Sequence, residues 1–239
     1  AYASYNKCGY TNPFAPVPGS GNAEFVFDGR SIYPEYLSDT NVLKCPSDAG
    51  ARTEVDVNHR WEDQSNLGQI DPCAFTPESY FYLGWALNGR AGEDYLAPGA
   101  DANSTAINST NILTGGVIDT GFLASLIGTV NGVVSDGLGS NRYDSDINYT
   151  NSGGVSRTLY RLREGIERFF ITDINNAAAS AEAESTIPIY GDLVSSNVGE
   201  YNHIPGGSNW LYMDGHVAFN KYATDFPCTR AFACLVAQF

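Results

Sequence analysis

The order of apolar and polar residues along the chain predicts short helices and strands joined by turns. Residues 27–37 place apolar side chains at helical spacing and predict a short helix. Residues 41–48 form a brief apolar run and residues 79–87 are dense in aromatic side chains, so both segments predict strands. An Asn-Gly pair at 88–89 predicts a turn directly after the second of them.

The C-terminal part of the chain has the clearest periodicity. Residues 209–222 alternate around an Asp-Gly pair at 214–215, a combination that closes a type I′ hairpin with a two-residue turn. Residues 156–176 have helical spacing before a β-branched run, which predicts a helix passing into a strand. Trp85 and Trp210 fall in predicted strands, so we expect both in the core.

The length and composition of the chain fit one globular domain. Residues 1–24 are rich in Pro, Gly and Asn and predict an irregular lead-in, while residues 25–239 form the domain. From about 97 to 154 small residues dominate, which we interpret as an insertion. Its apolar stretch at 117–134 predicts a helix packed on the core, or a subunit contact if the stretch is exposed.

The charge of the chain excludes some classes of partner. Thirteen basic against 27 acidic side chains give a formal net charge of −14, which repels phosphate backbones and anionic lipid headgroups. Nucleic-acid binding and electrostatic membrane binding are therefore disfavoured, whereas cations are attracted. One Met beside 15 Tyr, with many Asn, Ser and Thr residues, is typical of an exported surface protein.

The spacing of the cysteines favours disulfides over a zinc knuckle. No Cys-x-x-Cys pair occurs among the five cysteines, and exported chains commonly form disulfides. We expect disulfides between Cys45 and Cys73 and between Cys228 and Cys234. These pairings would leave Cys8 unpaired. An odd count also permits other pairings or an interchain bond.

The start of the chain suggests that it has been processed. No apolar stretch reaches the length of a bilayer span, and the first ten residues carry neither an initial Met nor an export signal. We therefore expect a processed or truncated product.

Two groups of histidines and carboxylates are candidates for acid-base or metal chemistry. His203, Asp214 and His216 could form such a site, although Asp214 also has a structural role in the predicted hairpin turn. A second group at His59, Glu62 and Asp63 (59–63) would suit a secreted hydrolase, but charged turns of this kind are usually solvated. No nucleophile elbow, phosphate loop or dinucleotide motif occurs, so we expect no catalytic activity.

A calcium site and N-glycosylation are further expectations. Asp144, Asp146 and Asn148 stand at alternate positions with Asp136 nearby, as at the start of a calcium loop, but the glycine and glutamate of an EF-hand are absent. The three acceptor sequons begin at Asn103, Asn108 and Asn148.

Two separated motifs resemble one protein family. The first motif comprises Cys45, Pro46, Ser47 and Asp48, and the second comprises His203, Gly206, Gly207, Asn209, Leu211, Asp214, Gly215, His216 and Val217. Together they resemble the pseudopilin-like "prepilin-type processing-associated" proteins of planctomycetes, whose signature places nine residues between a His and an Asp-Gly pair. Here ten residues, 204 to 213, intervene, with Pro205 as the extra one.

The resemblance covers about residues 27–222 and implies an α+β fold. Members resemble type IV pilins: an antiparallel headgroup sheet is carried on a hydrophobic N-terminal helix, which this chain lacks. It implies a structural subunit of an extracellular filament, pilus or type II secretion-like pseudopilus, located at the cell surface or in the periplasm. The partners would be further copies or other pseudopilins. The alternative function is a secreted adhesin or carbohydrate-binding module.

Overall fold

The computed structural model describes residues 25–88, 94–136, 144–166, 184–203 and 205–238. The helices are α1 (Gly29–Ile32), α2 (Ala49–Arg52), α3 (Thr120–Asp136) and α4 (Arg230–Val236). The strands are β1 (Tyr80–Tyr82), β2 (Ile147–Thr150), β3 (Ser156–Leu159), β4 (Pro188–Asp192), β5 (Gly207–Tyr212) and β6 (Val217–Lys221). This mixture of helices and antiparallel strands confirms the predicted α+β class. In the described ranges no helix is both long and apolar enough to span a membrane.

A four-stranded antiparallel sheet in the order β1-β4-β5-β6 separates two apolar clusters. On one face, Phe81 and Trp210 belong to the main cluster together with residues of α3 and α4. On the other face, Phe27 contacts the rings of Tyr82 and Tyr190 at centroid distances of 6.4 and 6.3 Å. Phe27 packs against the smaller cluster, which is formed by Val26, Val55, Trp61 and Phe75. The sheet is therefore covered by the N-terminal segments on that second face.

The segment predicted as an insertion contributes to the main cluster. Ile107, Ile112 and Phe122 are buried in it beside residues of the sheet. The helix predicted in the apolar stretch is present as α3, and its buried Phe122 and Leu126 pack on the core. Trp210 is fully buried, as predicted, whereas Trp85 is partly buried against the same cluster.

Asp119 fixes the start of α3 against the β2–β3 hairpin. One carboxylate oxygen accepts hydrogen bonds from the Gly121 and Phe122 N–H groups at 2.9 and 3.0 Å. The other accepts from the N–H and hydroxyl of Ser152, both at 2.7 Å. Burial by itself would raise the pKa of Asp119, but these hydrogen bonds outweigh burial and lower it below the ordinary value.

The β5–β6 hairpin confirms its prediction, but its turn is of a different type. The Gly215 N–H donates to Tyr212 O and the Tyr212 N–H donates to His216 O, each at 2.9 Å. Gly215 has a φ of +90°, and Asp214 is not among the described residues with positive φ. This is a type I turn followed by a glycine bulge rather than a type I′ turn, because only the glycine adopts left-handed backbone without a steric cost.

Two predicted elements are wrong. The run at 41–48 was expected to be a strand, but Thr40–Leu43 is a 3₁₀ turn because the Asp39 side chain accepts a hydrogen bond from Asn41 N. Residues 156–159 were expected to be helical, but they form β3 and pair with β2. The rest of that prediction beyond residue 166, the turn at Gly89 and the lead-in at 1–24 lie outside the described residues.

Replacing Gly191 with Ala tests the packing of the sheet. A Cβ atom there would lie 2.3 Å from the Trp210 ring, so we expect Gly191→Ala to lower the free energy of unfolding by about 1–3 kcal/mol. Gly128 of α3 is exposed with nothing near its Cβ position, and Gly128→Ala should raise it by about 0.5–1 kcal/mol. Urea denaturation measures both, and equal effects of the two variants would contradict the packing argument.

The lowered pKa of Asp119 predicts an acid-dependent loss of stability. This contribution is fully present above the ordinary pKa of 3.8 and is lost as the pH falls through the lower folded-state pKa. Asp119→Asn should cost about 1–3 kcal/mol at neutral pH, and the difference from the native chain should shrink below pH 3.8. Asp225→Asn, at an exposed position, is the control. A cost that does not change with pH would contradict the ionic origin.

Candidate functional site: a buried Cys-Asp-His cluster

Three side chains from distant parts of the chain meet where the N-terminal segments pack on the sheet. Cys45 follows the 3₁₀ turn, Asp192 ends β4 and His203 lies in the loop before β5. The His203 Nε2 atom is 3.1 Å from Asp192 Oδ2 and 3.8 Å from Cys45 Sγ. A sulfur, an oxygen and a nitrogen thus lie within 4.8 Å of one another.

The cluster is buried on one side and open on the other. Cys45 and Asp192 are 1% and 3% exposed, whereas the His203 side chain is 29% exposed. The same nitrogen of His203 faces both the thiol and the carboxylate. In a nucleophile–histidine–carboxylate triad the two partners use opposite ring nitrogens, so this arrangement differs from that of a triad hydrolase.

Asp192 is held by Asn209 of β5, and Tyr80 of β1 stands opposite it. Its Oδ2 accepts hydrogen bonds from the Asn209 backbone N–H at 2.6 Å and from Asn209 Nδ2 at 3.1 Å. Tyr80 stands opposite Asp192 in the β1–β4 register. Burial, and then the nearby Cys45 and Asp192, raise the pKa of Tyr80 to about 12, so its hydroxyl stays protonated at neutral pH.

A second network joins the Cys45 loop to the same place. The fully buried Ser79 hydroxyl accepts a hydrogen bond from Cys45 N and donates one to Asp48 Oδ2, both at 3.0 Å. Asn202 Nδ2 donates to the same Asp48 oxygen at 3.3 Å. The other oxygen of Asp48 caps α2 by accepting from Ala51 N. These contacts fasten the N-terminal segment to the sheet.

The structure brings together residues from both family-like motifs. Cys45 and Asp48 of the first motif share the network with His203 and Asn209 of the second. Pro46 and Ser47 form an exposed turn. Gly206 (φ of +109°) and Gly207 lie next to His203 and Asn209, and a Cβ on Gly207 would be 2.4 Å from Asn220 O. Close packing of β5 against β6 therefore requires glycine at 207.

The candidate grouping of His203 with Asp214 and His216, which was weighed against structural roles for these residues, does not form. His203 contacts Asp192 instead, while Asp214, Gly215 and His216 form the exposed tip of the β5–β6 hairpin. Asp214 pairs with His216 at 2.6 Å, and the His216 ring stacks on Tyr212 at 4.5 Å. The backbone N–H of His216, followed by its ring, lowers the pKa of Asp214. The hairpin turn directs these side chains away from the sheet.

Both predicted disulfide pairings are wrong as well. Cys45, Cys228 and Cys234 are free, buried thiols, whereas Cys73 is disulfide-bonded. Burial raises the pKa of Cys228 to about 11, although neighbouring Ser208 of β5 acts to lower it. Cys234 lies within α4, where burial also raises its pKa. The two thiols therefore have different surroundings despite their closeness in sequence. Cys8 lies outside the described residues.

Two of the four predicted calcium ligands, Asp146 and Asn148, form hydrogen bonds with protein side chains. Arg163 pairs with both carboxylate oxygens of Asp146, at 2.9 and 3.0 Å. Asn148 Oδ1 accepts a hydrogen bond from Thr158. Asp144 is exposed, and the side chain of Asp136 lies outside the described residues. Calcium binding here stays a prediction, and it would require Asp146 to leave Arg163.

The sequons differ in how their asparagines are used. Asn103 is built into the fold, since its Nδ2 donates to Thr224 O and its Oδ1 accepts from Arg230 N. Asn108 and Asn148 are exposed, so both present an acceptor side chain at the surface. Glycosylation of any of the three stays a prediction.

The remaining charged group, at 59–63, is a local turn. His59 Nδ1 lies 2.9 Å from Glu62 Oε1, and Asp63 accepts hydrogen bonds from the N–H and hydroxyl of Ser65. These contacts lie within six residues of one another. They match the interpretation of this segment as a solvated charged turn.

Asp192, Ser79 and Tyr80 belong to the site but were not predicted from the sequence. A signal for Asp192 existed, since a carboxylate directly follows the apolar residues of β4 in a segment that resembles the family. No family model, curated protein or solved structure matches the chain. The cluster must therefore be interpreted from its own geometry.

Replacing Ser79 with Ala tests the network around the cluster. The change leaves the Cys45 N–H without its acceptor in a buried place, so we expect the free energy of unfolding to fall by about 1–3 kcal/mol. Ser47→Ala in the exposed turn of the same motif is the matched control and should stay within about 0.5 kcal/mol of the native chain. Equal stability of the two variants in urea denaturation would show that the Ser79 network contributes nothing.

Proposed function

We propose that this protein is a structural subunit of an extracellular filament, pilus or secretion pseudopilus, with a pilin-like headgroup and no catalytic activity of its own. The observation that carries the proposal is the meeting of the two family-like motifs. Cys45 and Asp48 of the first and His203 and Asn209 of the second lie in one partly buried network, which Ser79 and Asp192 connect. Their shared role is to fasten the N-terminal segments to the antiparallel sheet, as a rigid headgroup requires.

The outer edge of β6 supports a role in assembly. Among the described residues β6 is the last strand of the sheet, and Val217 and Phe219 on it are 63% and 47% exposed. An edge strand with apolar side chains is a surface that pairs readily with another chain. Lys221 at the end of the strand is the kind of charged residue that limits uncontrolled pairing at such an edge.

The charge of the chain disfavours nucleic acid as a partner and sets a condition on contacts between copies. A net charge of −14 makes neighbouring copies repel each other, so contacts between subunits must be specific and are helped by cations. The proposed partners are further copies of this chain or other pseudopilins. The proposed location is the cell surface, or the periplasm in the case of a pseudopilus.

Electron microscopy of the native protein, purified from its cells with calcium and again after chelation, tests the proposal. We expect ordered filaments whose lattice contains this chain. Loss of the filaments on chelation would place a cation at a subunit contact. Strictly monomeric particles under both conditions would overturn the proposal and favour an adhesin or carbohydrate-binding module.

Charge placed on the β6 edge tests its role in that assembly. Val217→Asp should shorten or abolish the filaments because it places a carboxylate at the proposed contact, while the exposed position leaves the fold intact. Val57→Asp is the matched control, because Val57 is 68% exposed and lies in a π-helical turn outside the sheet. Equal filament lengths in the two variants, measured on the same grids, would exclude the β6 edge as a contact.

A further inference from the structure

The geometry points to a transition-metal site, suited to Zn²⁺, formed by Cys45, Asp192 and His203. Within the described ranges this is the one group of three or more Cys, His, Asp or Glu side chains whose ligand atoms converge. The site shares Cys45 and His203 with the network that carries the proposed filament function, but metal binding there needs neither the β6 edge nor a second copy.

The distances fit the first coordination shell of zinc. Bonds of about 2.3 Å to sulfur and about 2.0–2.2 Å to nitrogen and oxygen place the atoms of a tetrahedral site about 3.4–3.6 Å apart. The sulfur–nitrogen distance of 3.8 Å and the nitrogen–oxygen distance of 3.1 Å depart from that range by only a few tenths of an ångström. The sulfur and the carboxylate oxygen lie within 4.8 Å of each other, so rotations of the side chains would bring all three atoms onto one ion.

The chemical types of the three ligand atoms determine which metal ions the site favours. A thiolate and an imidazole favour zinc and similar ions over calcium or magnesium, which prefer sets of oxygen ligands. Three protein ligands also leave one tetrahedral position, and the partly exposed His203 side chain lies where solvent reaches the cluster. A water molecule or a small ligand would complete the coordination.

The surroundings of Asp192 are those of a ligand carboxylate. Asp192 is nearly fully buried, and among the described basic side chains only His203 is in ion-pair contact with it. Buried charges in proteins are paired or bind metals, and a divalent ion would balance one carboxylate and one thiolate. Asn209 holds the ligating oxygen by two hydrogen bonds, as outer-shell groups do in metal sites.

Cobalt titration of the chelator-treated native protein tests the site. We expect one Co²⁺ per chain with a thiolate-to-cobalt charge-transfer band in the near ultraviolet, which equimolar Zn²⁺ then abolishes. Zn²⁺ should also raise the melting temperature of the protein, and a chelator should reverse that rise. Absence of the band at millimolar Co²⁺ would overturn the proposal.

Single substitutions identify the ligands. Cys45→Ser should remove the charge-transfer band. His203→Ala should weaken Zn²⁺ binding at least as much as Asn209→Ala does. Asn209→Ala removes one of the two hydrogen bonds to Asp192 and should weaken Zn²⁺ binding about tenfold or more. Cys228→Ser, another buried thiol, and His216→Ala, an exposed imidazole, are the matched controls and should bind as the native chain does. A band that survives in Cys45→Ser would contradict the assignment.

X-ray absorption of the zinc-loaded native protein keeps the test independent of how the variants fold. The expected zinc shell contains one sulfur at about 2.3 Å and nitrogen or oxygen atoms at about 2.0–2.2 Å. A shell of nitrogen and oxygen alone would show that zinc binds elsewhere and would overturn the proposal.

Discussion

The carboxylate of Asp192 must be stabilised where water scarcely reaches it, and much of the structure's arrangement follows from that constraint. It ends a central strand, and its partners come from three separate places: Asn209 on the neighbouring strand, His203 in a loop, and the Cys45 loop of the N-terminal layer. Removing one partner of a buried charge lowers the stability of the fold by several kcal/mol. These polar contacts therefore hold the three segments together in addition to apolar packing. The rigidity of this region comes from these few contacts, which both the proposed headgroup and the proposed metal site require.

The elements that could be predicted from sequence are those governed by neighbouring residues. The β5–β6 hairpin is one, since alternation and an Asp-Gly pair lie within a single stretch. The 3₁₀ turn at Thr40–Leu43 was mistaken for a strand because the Asp39 side chain, rather than the apolar run, decides the local backbone. Strand β3 was mistaken for helix because its conformation depends on pairing with β2, which residue spacing does not reveal.

Part of the site could also be predicted, because some of its residues belong to local sequence motifs. Cys45, Asp48, His203 and Asn209 were singled out by their motifs, but the sequence could not show that Asp192 would stand among them. That position follows from β4 pairing with β5, a contact between segments that carry no shared pattern. The disulfides were assigned from spacing along the chain, whereas the direction of each thiol is set by the surface on which its segment packs.

The contact between Cys45 and His203 also has a consequence for the order of folding, because 158 positions separate the two residues. Tyr95 and Thr229, whose hydroxyls are 2.9 Å apart, are separated by 134 positions. Contacts this distant form late, since a long loop must first close, and chains rich in them fold slowly. During synthesis Cys45 and Asp48 of the N-terminal segments must therefore wait for the loop that carries Asn202 and His203 before they meet these partners. A chain that stops short of residue 207 would also lack β5 and could not complete either face of the sheet.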